Sequence, residues 1–200
     1  MQEKKLSLLT FSQRDAEFGS VDVTEGSVTI SADADTDWFF EPNGKTIRAN
    51  VPRLCRTIDS SVFSFQAKVQ VGFGSTYDGG TLFVKTAGGA WGKIAYEFSP
   101  QNVPTIVSVI TKDTSDDSDG PAHPAESVYL RIYGDGNVFA MHFSKDAKFW
   151  QFLRLFALPG RSGSLTIGLS SQSPTGQGCV ARFSEVTIGY DRIANLRDGS

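Results

Sequence analysis

Three short runs carry side chains whose types and spacing could do chemistry. Trp91-Gly92-Lys93-Ile94-Ala95-Tyr96-Glu97-Phe98 alternates an indole, an ammonium and a carboxylate with apolar residues. In an extended strand successive side chains point to opposite faces, so Trp91, Lys93, Ala95 and Glu97 share one side and Ile94, Tyr96 and Phe98 the other. The run Val128–Tyr133 divides in the same way into Val128, Leu130, Ile132 and Tyr129, Arg131, Tyr133, and Val138–Ser144 sets His142 opposite Phe139, Met141 and Phe143. In each case the wholly apolar row belongs to a core, which turns the other row outward.

An outward collection of Trp91, Lys93, Glu97, Tyr129, Arg131, Tyr133 and His142 suits a binding face. Aromatic rings stack on the apolar faces of sugars, while guanidinium, ammonium and carboxylate groups hydrogen-bond hydroxyls or acids. Trp91 would be the stacking platform, with Tyr133 and His142 as flanking polar contacts and Lys93, Glu97 and Arg131 as orienting charges. The structural alternative is that Trp91 and the tyrosines pair across strands and shield the sheet, with Lys93–Glu97 a structural ion pair.

Other chemistries find less support. Glycoside hydrolysis uses two carboxylates about 5–10 Å apart, and this face offers Glu97 alone, with no E-x-D-x-(x)-E spacing on one strand. Asp33-Ala34-Asp35-Thr36-Asp37 opens like a calcium loop, but Gly44 stands where the closing glutamate belongs, so a solvated turn is expected. His123 and His142 lack partners at zinc-ligand spacing. Cys55 lies between Arg53 and Arg56, yet nothing marks a base for it, and Gly134-Asp135-Gly136 precedes no helix that would make it a phosphate cradle. No metal or other cofactor is expected.

The elements that position these residues read as strands. Period-two alternation marks Ser27–Ala32, Thr46–Val51, Val62–Val71, Thr81–Thr86, Trp91–Phe98, Thr105–Thr111, Val128–Tyr133, Val138–Ser144, Ser164–Ser170 and Val180–Ile188. Gly134-Asp135-Gly136-Asn137 predicts a tight hairpin. Many short strands without intervening helices predict an all-β fold, a two-sheet antiparallel sandwich or jelly roll. Lys148–Phe156 hints at a helical turn, although Trp150, Phe152 and Phe156 suit a strand or loop equally; Lys112–Glu126 reads as a mobile acidic loop, and about Ala194–Ser200 as a frayed tail, leaving residues 1–192 as one domain and 193–200 as its tail.

Composition bounds the function. With 200 residues, 40% hydrophobic and 20% charged, the chain can build one sizeable core. A formal net charge of −3 gives no basic footprint for nucleic acid or an anionic membrane. The apolar stretch Leu6–Leu9 is shorter than a secretory signal's core of about 7–15 residues, and no run approaches the roughly 20 apolar residues of a membrane span. Two cysteines, Cys55 and Cys179, suit buried free thiols in a reducing compartment, with one long-range disulfide as the alternative. A cytoplasmic location is expected.

Several stretches together resemble an uncharacterised family of the concanavalin A-like lectin/glucanase superfamily. Trp91-Gly92-Lys93-Ile94-Ala95-Tyr96-Glu97 is similar to its W-x-K-x-G-x-E signature, and Asp37-Trp38-Phe39 to its early acidic-aromatic motif. Val128–Ile132 followed by His142–Asp146 and Trp150 resembles its strand and Y-S-x-D-G-x-x-W block. Ile167-Gly168-Leu169 with Ser173-Pro174, Gly178 and Phe183 resembles its closing segment. The matches run in order over about residues 10–190 and are similar to the fungal regulation-of-enolase branch. Ala95 and Ala147 stand where the pattern usually has glycine, and His142 where it often has tyrosine. The resemblance implies a sandwich with one concave sheet carrying Trp91, Lys93, Glu97, Arg131 and His142. The expected function is non-catalytic binding of a carbohydrate or a polyhydroxylated or acidic metabolite. The alternative is a regulatory protein that contacts a cytosolic metabolic enzyme, and a glycoside hydrolase is the third reading.

Overall fold

A computed structural model describes residues 4–5, 11–160 and 163–200. Every regular element among them is a strand: β1 (Lys4–Lys5), β2 (Gln13–Asp15), β3 (Gly19–Val23), β4 (Ser27–Ala32), β5 (Trp38–Phe40), β6 (Ile47–Ala49), β7 (Arg53–Ile58), β8 (Val62–Gly72), β9 (Gly79–Thr86), β10 (Trp91–Phe98), β11 (Pro104–Thr111), β12 (Ser115–Ala122), β13 (Ser127–Asp135), β14 (Val138–Ser144), β15 (Gln151–Phe156), β16 (Leu165–Gln172) and β17 (Cys179–Gly189). They form two large antiparallel sheets. Sheet A runs β15-β14-β13-β8-β17-β4-β3 with β1 against β17, and sheet B runs β12-β11-β10-β9-β16-β7-β2. A two-stranded sheet, β5-β6, stands apart. This is the all-β sandwich that the alternation predicts.

The inward rows meet in one core. Val69, Leu130, Ile132 and Phe183 of sheet A pack against Leu82, Ile94, Ile106 and Ile167 of sheet B. Each such side chain is worth roughly 1.5–3 kcal/mol when removed from water, which is why the apolar row decides the face. The predicted hairpin joins β13 to β14, with Asp135 opposite Val138 and Gly136 at φ +58°. That conformation in the first position of a two-residue turn is relaxed only for glycine. Cys55 and Cys179 are buried free thiols.

Three expectations are corrected. Within Lys112–Glu126 lies β12, paired with β11 through Asp116↔Ile110, Asp117↔Val109 and Asp119↔Val107. An edge strand needs backbone partners on one side only, and its charged side chains discourage a further strand from adding there. Of the alternatives open for Lys148–Phe156 the helical turn falls and the strand stands: Gln151–Phe156 is the edge strand β15, paired with β14 and tied by Arg154 to Asp116 at 2.8 Å. The end of the chain is not frayed: residues 193–200 lie across sheet A, as described next.

Candidate functional site

The parity readings hold, but the seven predicted residues do not share one surface. Trp91, Lys93 and Glu97 lie on β10 in sheet B, whereas Tyr129, Arg131, Tyr133 and His142 lie on β13 and β14 in sheet A. Both rows point away from the common core, so the sandwich puts them on opposite outer faces. The expectation of a single concave site is corrected on that ground. Nor are these rows solvent-facing, because each is covered by another part of the chain.

On sheet B the cover is the β5-β6 hairpin. Thr36 bridges to Ser173 just past β16, and Phe40 N donates to Ser115 Oγ at the start of β12, at 2.9 Å. Between these anchors Trp38 stacks on Trp91 at 4.4 Å between ring centroids and meets Phe83 edge-on at 4.9 Å. Trp91 is consequently 1% exposed. It is a floor under Trp38 rather than a platform for an external ring.

Lys93, 2% exposed, secures the same hairpin. Its Nζ donates to the Trp38 carbonyl at 2.8 Å and to Gln172 Oε1 at 2.7 Å, and Asp37 Oδ1 stands 3.9 Å away. Gln172 Nε2 in turn donates to Glu97 Oε2 at 3.2 Å, so one amide links the ammonium to the carboxylate. Burial disfavours both charges: it pushes Lys93 down, with Asp37 and Glu97 opposing, and Glu97 up to about 8, with Lys93 opposing.

Beside Trp38 a cleft of about 450 Å³ opens on the same outer face. Trp38 and Phe83 contribute its apolar wall, with Gln13, Asp15, Arg53 and Lys85 around it. Arg53 pairs with Asp15 at 2.6 Å and its guanidinium lies 5.1 Å from the Trp38 ring centroid. Cys55 also lines the cleft, but burial pushes its thiol up to about 11, which suppresses the nucleophilic thiolate.

On sheet A the cover is residues 190–200. Tyr133 Oη accepts from Ile193 N at 3.3 Å, His142 Nε2 donates to the Leu196 carbonyl at 2.8 Å, and Arg131 Nη2 donates to the Gly199 carbonyl at 2.9 Å. The Arg131 guanidinium lies 4.0 Å from the Trp150 ring centroid. Tyr129, half-buried, instead donates to Glu185 on β17 at 3.0 Å. Sequence reasoning missed Gln172 and Asp15 altogether, and met Arg53 only as a neighbour of Cys55. Asp37-Trp38-Phe39 stood out only as a motif, with nothing in its spacing to say that it covers β10. Among the described residues no group of three or more His, Cys, Asp or Glu is placed to hold a metal ion, and no helix is long and apolar enough to cross a membrane.

Fold and faces together define a lectin-like β-sandwich with a covered sheet on either side. A legume lectin-like domain from Entamoeba histolytica has the same architecture, with a TM-score of 0.56 and 12% identity over 91% of this chain and 97% of that one. The chain belongs to the family described as Protein of unknown function (DUF1349), which matches residues 17–190. It is 29% identical over 164 residues to Regulation of enolase protein 1 of Saccharomyces cerevisiae, covering 82% of this chain and 81% of the yeast protein. A crystal structure of a functionally unknown protein from Saccharomyces cerevisiae superposes with a TM-score of 0.83 and 26% identity, over 94% of this chain and all of that one.

Proposed function

We propose that the chain is a non-catalytic binding module that takes a carbohydrate or related polyhydroxylated, acidic metabolite in the cleft beside Trp38. The observation that carries this reading is the cleft itself: about 450 Å³ on the outer face of a lectin-like sheet, with a charged rim over the buried Trp38 and Phe83 rings. That volume fits a small ligand. Arg14, Arg53 and Lys85 outnumber Asp15 around it, which favours an acidic sugar or sugar phosphate over a neutral one. Trp91 and Lys93 support this site from beneath, by holding the hairpin that carries Trp38.

The test is a calorimetric and thermal-shift screen of neutral sugars, uronic acids and sugar phosphates against the wild type, Arg53→Ala and Lys85→Ala. A ligand should stabilise the wild type and bind at least about tenfold more weakly to each variant, the loss of one charge-assisted hydrogen bond being worth roughly 1.5–3 kcal/mol. No ligand across the panel, or undiminished binding in both variants, would sink the proposal.

A second reading has its own support, in the 29% identity to a protein named for regulation of enolase. Here the chain acts in the cytoplasm by contacting a glycolytic enzyme, and the tip of the β5-β6 hairpin, where Ile47 is 69% exposed, is the natural contact. Purified chain and purified enolase should then associate in sedimentation experiments, and Ile47→Asp should weaken the association. Independent sedimentation at micromolar concentrations would rule it out. A hydrolase built on Glu97 has the least support, since that carboxylate is 8% exposed and engaged by Gln172.

A further inference from the structure

The segment crossing sheet A is attached like a ligand rather than built in like a core element. None of residues 190–200 belongs to either buried apolar cluster. Asn195–Ser200 is instead folded on itself: Asn195 N donates to the Ser200 carbonyl, Gly199 N to the Asn195 carbonyl, and Asp198 accepts from Asn195 Nδ2 and Ser200 N. It meets the sheet as a preformed turn, through the Leu196 and Gly199 carbonyls, with Arg197 placed 4.5 Å from the Phe152 ring centroid. The connecting residues Tyr190, Asp191, Arg192 and Ala194 are exposed.

The receiving face is shaped for this turn. Arg131 and His142 are both more than nine-tenths buried beneath it, and each gives a hydrogen bond to one of its carbonyls. Gly199 sits at φ +74°, where a Cβ would overlap the Arg131 guanidinium and come within 2.8 Å of Trp150 Cβ. Any other residue there strains the backbone and pushes against Arg131 and Trp150. His142 Nδ1, also buried, has no partner even with the turn in place, so the face retains polar capacity that the turn does not use.

We propose that the outer face of sheet A is a binding site for an Asn-x-x-Asp-Gly turn presented by a protein partner, and that Asn195–Ser200 occupies it in cis as a built-in competitor. This site stands apart from the cleft beside Trp38, on the opposite side of the sandwich. The partner must offer two main-chain carbonyls at the spacing of Leu196 and Gly199, and a glycine at the second. A segment tethered by a short hinge competes at an effective concentration of about millimolar, so a partner engages well only when it outcompetes or outnumbers the cis turn.

The probe is a fluorescent peptide of sequence Ala-Asn-Leu-Arg-Asp-Gly-Ser, titrated by anisotropy into the full chain and into Gly199→Val, whose own turn no longer fits. Gly199→Val should bind saturably and the wild type roughly tenfold or more weakly. The peptide with valine for glycine should not bind, and adding Arg131→Ala to Gly199→Val should abolish binding. Should Gly199→Val fail to fold, Asn195→Ala/Asp198→Ala, which alters only exposed positions, releases the turn instead. No binding to a folded released variant, equal binding to the wild type, or binding of the valine peptide each overturns the proposal. Titration of a cleft ligand is unaffected by any of these outcomes.

Discussion

Acidification should weaken this protein through His142 in a way that one substitution removes. The ring is fully buried. Its Nε2–H is committed to the Leu196 carbonyl, which fixes the tautomer and leaves Nδ1 as an acceptor facing no donor. Arg131 is its cross-strand neighbour on β13, Asp198 approaches from the covering turn, and Phe152 packs edge-on from β15 at 6.0 Å. Protonating Nδ1 would create a buried cation with no acceptor beside a guanidinium. Burial first, and Arg131 second, therefore lower its pKa from 6.5 to about 4, against weaker opposing pulls from the Leu196 carbonyl and Asp198. The unfolded chain takes up this proton near 6.5 and the folded chain only near 4, so stability falls as pH drops between them. The interval is worth about 3 kcal/mol at its limit, a large share of a typical domain's stability. Urea midpoints measured from about pH 7.5 to about pH 4.5, for the wild type and His142→Gln, isolate the effect, because carboxylate titrations common to both cancel. Glutamine keeps a donor for the Leu196 carbonyl but cannot titrate. The wild type should lose stability faster on acidification, and a gap between the two that stays constant with pH would refute the reasoning.

Other substitutions probe the covered faces and the edges. Lys93→Met leaves the Trp38 carbonyl and Gln172 Oε1 without their buried donor and pushes Glu97 further up, and should cost about 2–5 kcal/mol in urea unfolding. Adding Glu97→Gln should recover at least about 1 kcal/mol of that loss. Trp38→Ala removes the ring stacked on Trp91 and should cost about 3–5 kcal/mol, with a rise in Trp91 fluorescence quenching by acrylamide. Asp117→Val/Asp119→Val removes two of the three carboxylates of β12 and should convert the chain to higher oligomers in light scattering at concentrations where the wild type does not associate. Cys55 and Cys179, pushed up by burial to about 11 and about 12, should resist a thiol reagent until the chain unfolds.

What could be read from the residues depended on whether a signal was local. Trp91–Phe98 and Val138–Ser144 were bounded correctly because each has one row that is wholly apolar and one that is not. Arg53–Ile58 escaped notice because arginines at 53 and 56 break the alternation, and Gly19–Val23 because only Val21 of its residues is buried. Ser115–Ala122 read as a loop because an edge strand is specified by backbone pairing rather than by side-chain pattern. The candidate site failed for a different reason. Parity says which side of a strand a residue occupies, but not which sheet the strand joins, so Trp91 and Arg131 were assigned to one face when they lie on two. The inference that such residues must contact something was sound, yet their contacts are with Trp38 and Gly199 of the same chain. Those pairings span 53 and 68 residues, beyond the reach of any local pattern.

The order of strands in each sheet carries a consequence for synthesis. β16 sits between β9 and β7, and β17 between β8 and β4, so the last two strands of the chain are the keystones of both sheets. Until they leave the ribosome, β7 and β9 have no common neighbour and β4 and β8 lie apart, each presenting open ladders to solvent or to other nascent chains. Neither sheet can close before β16 and β17 emerge, which makes this a slow folder by topology and one exposed to misassociation while it waits.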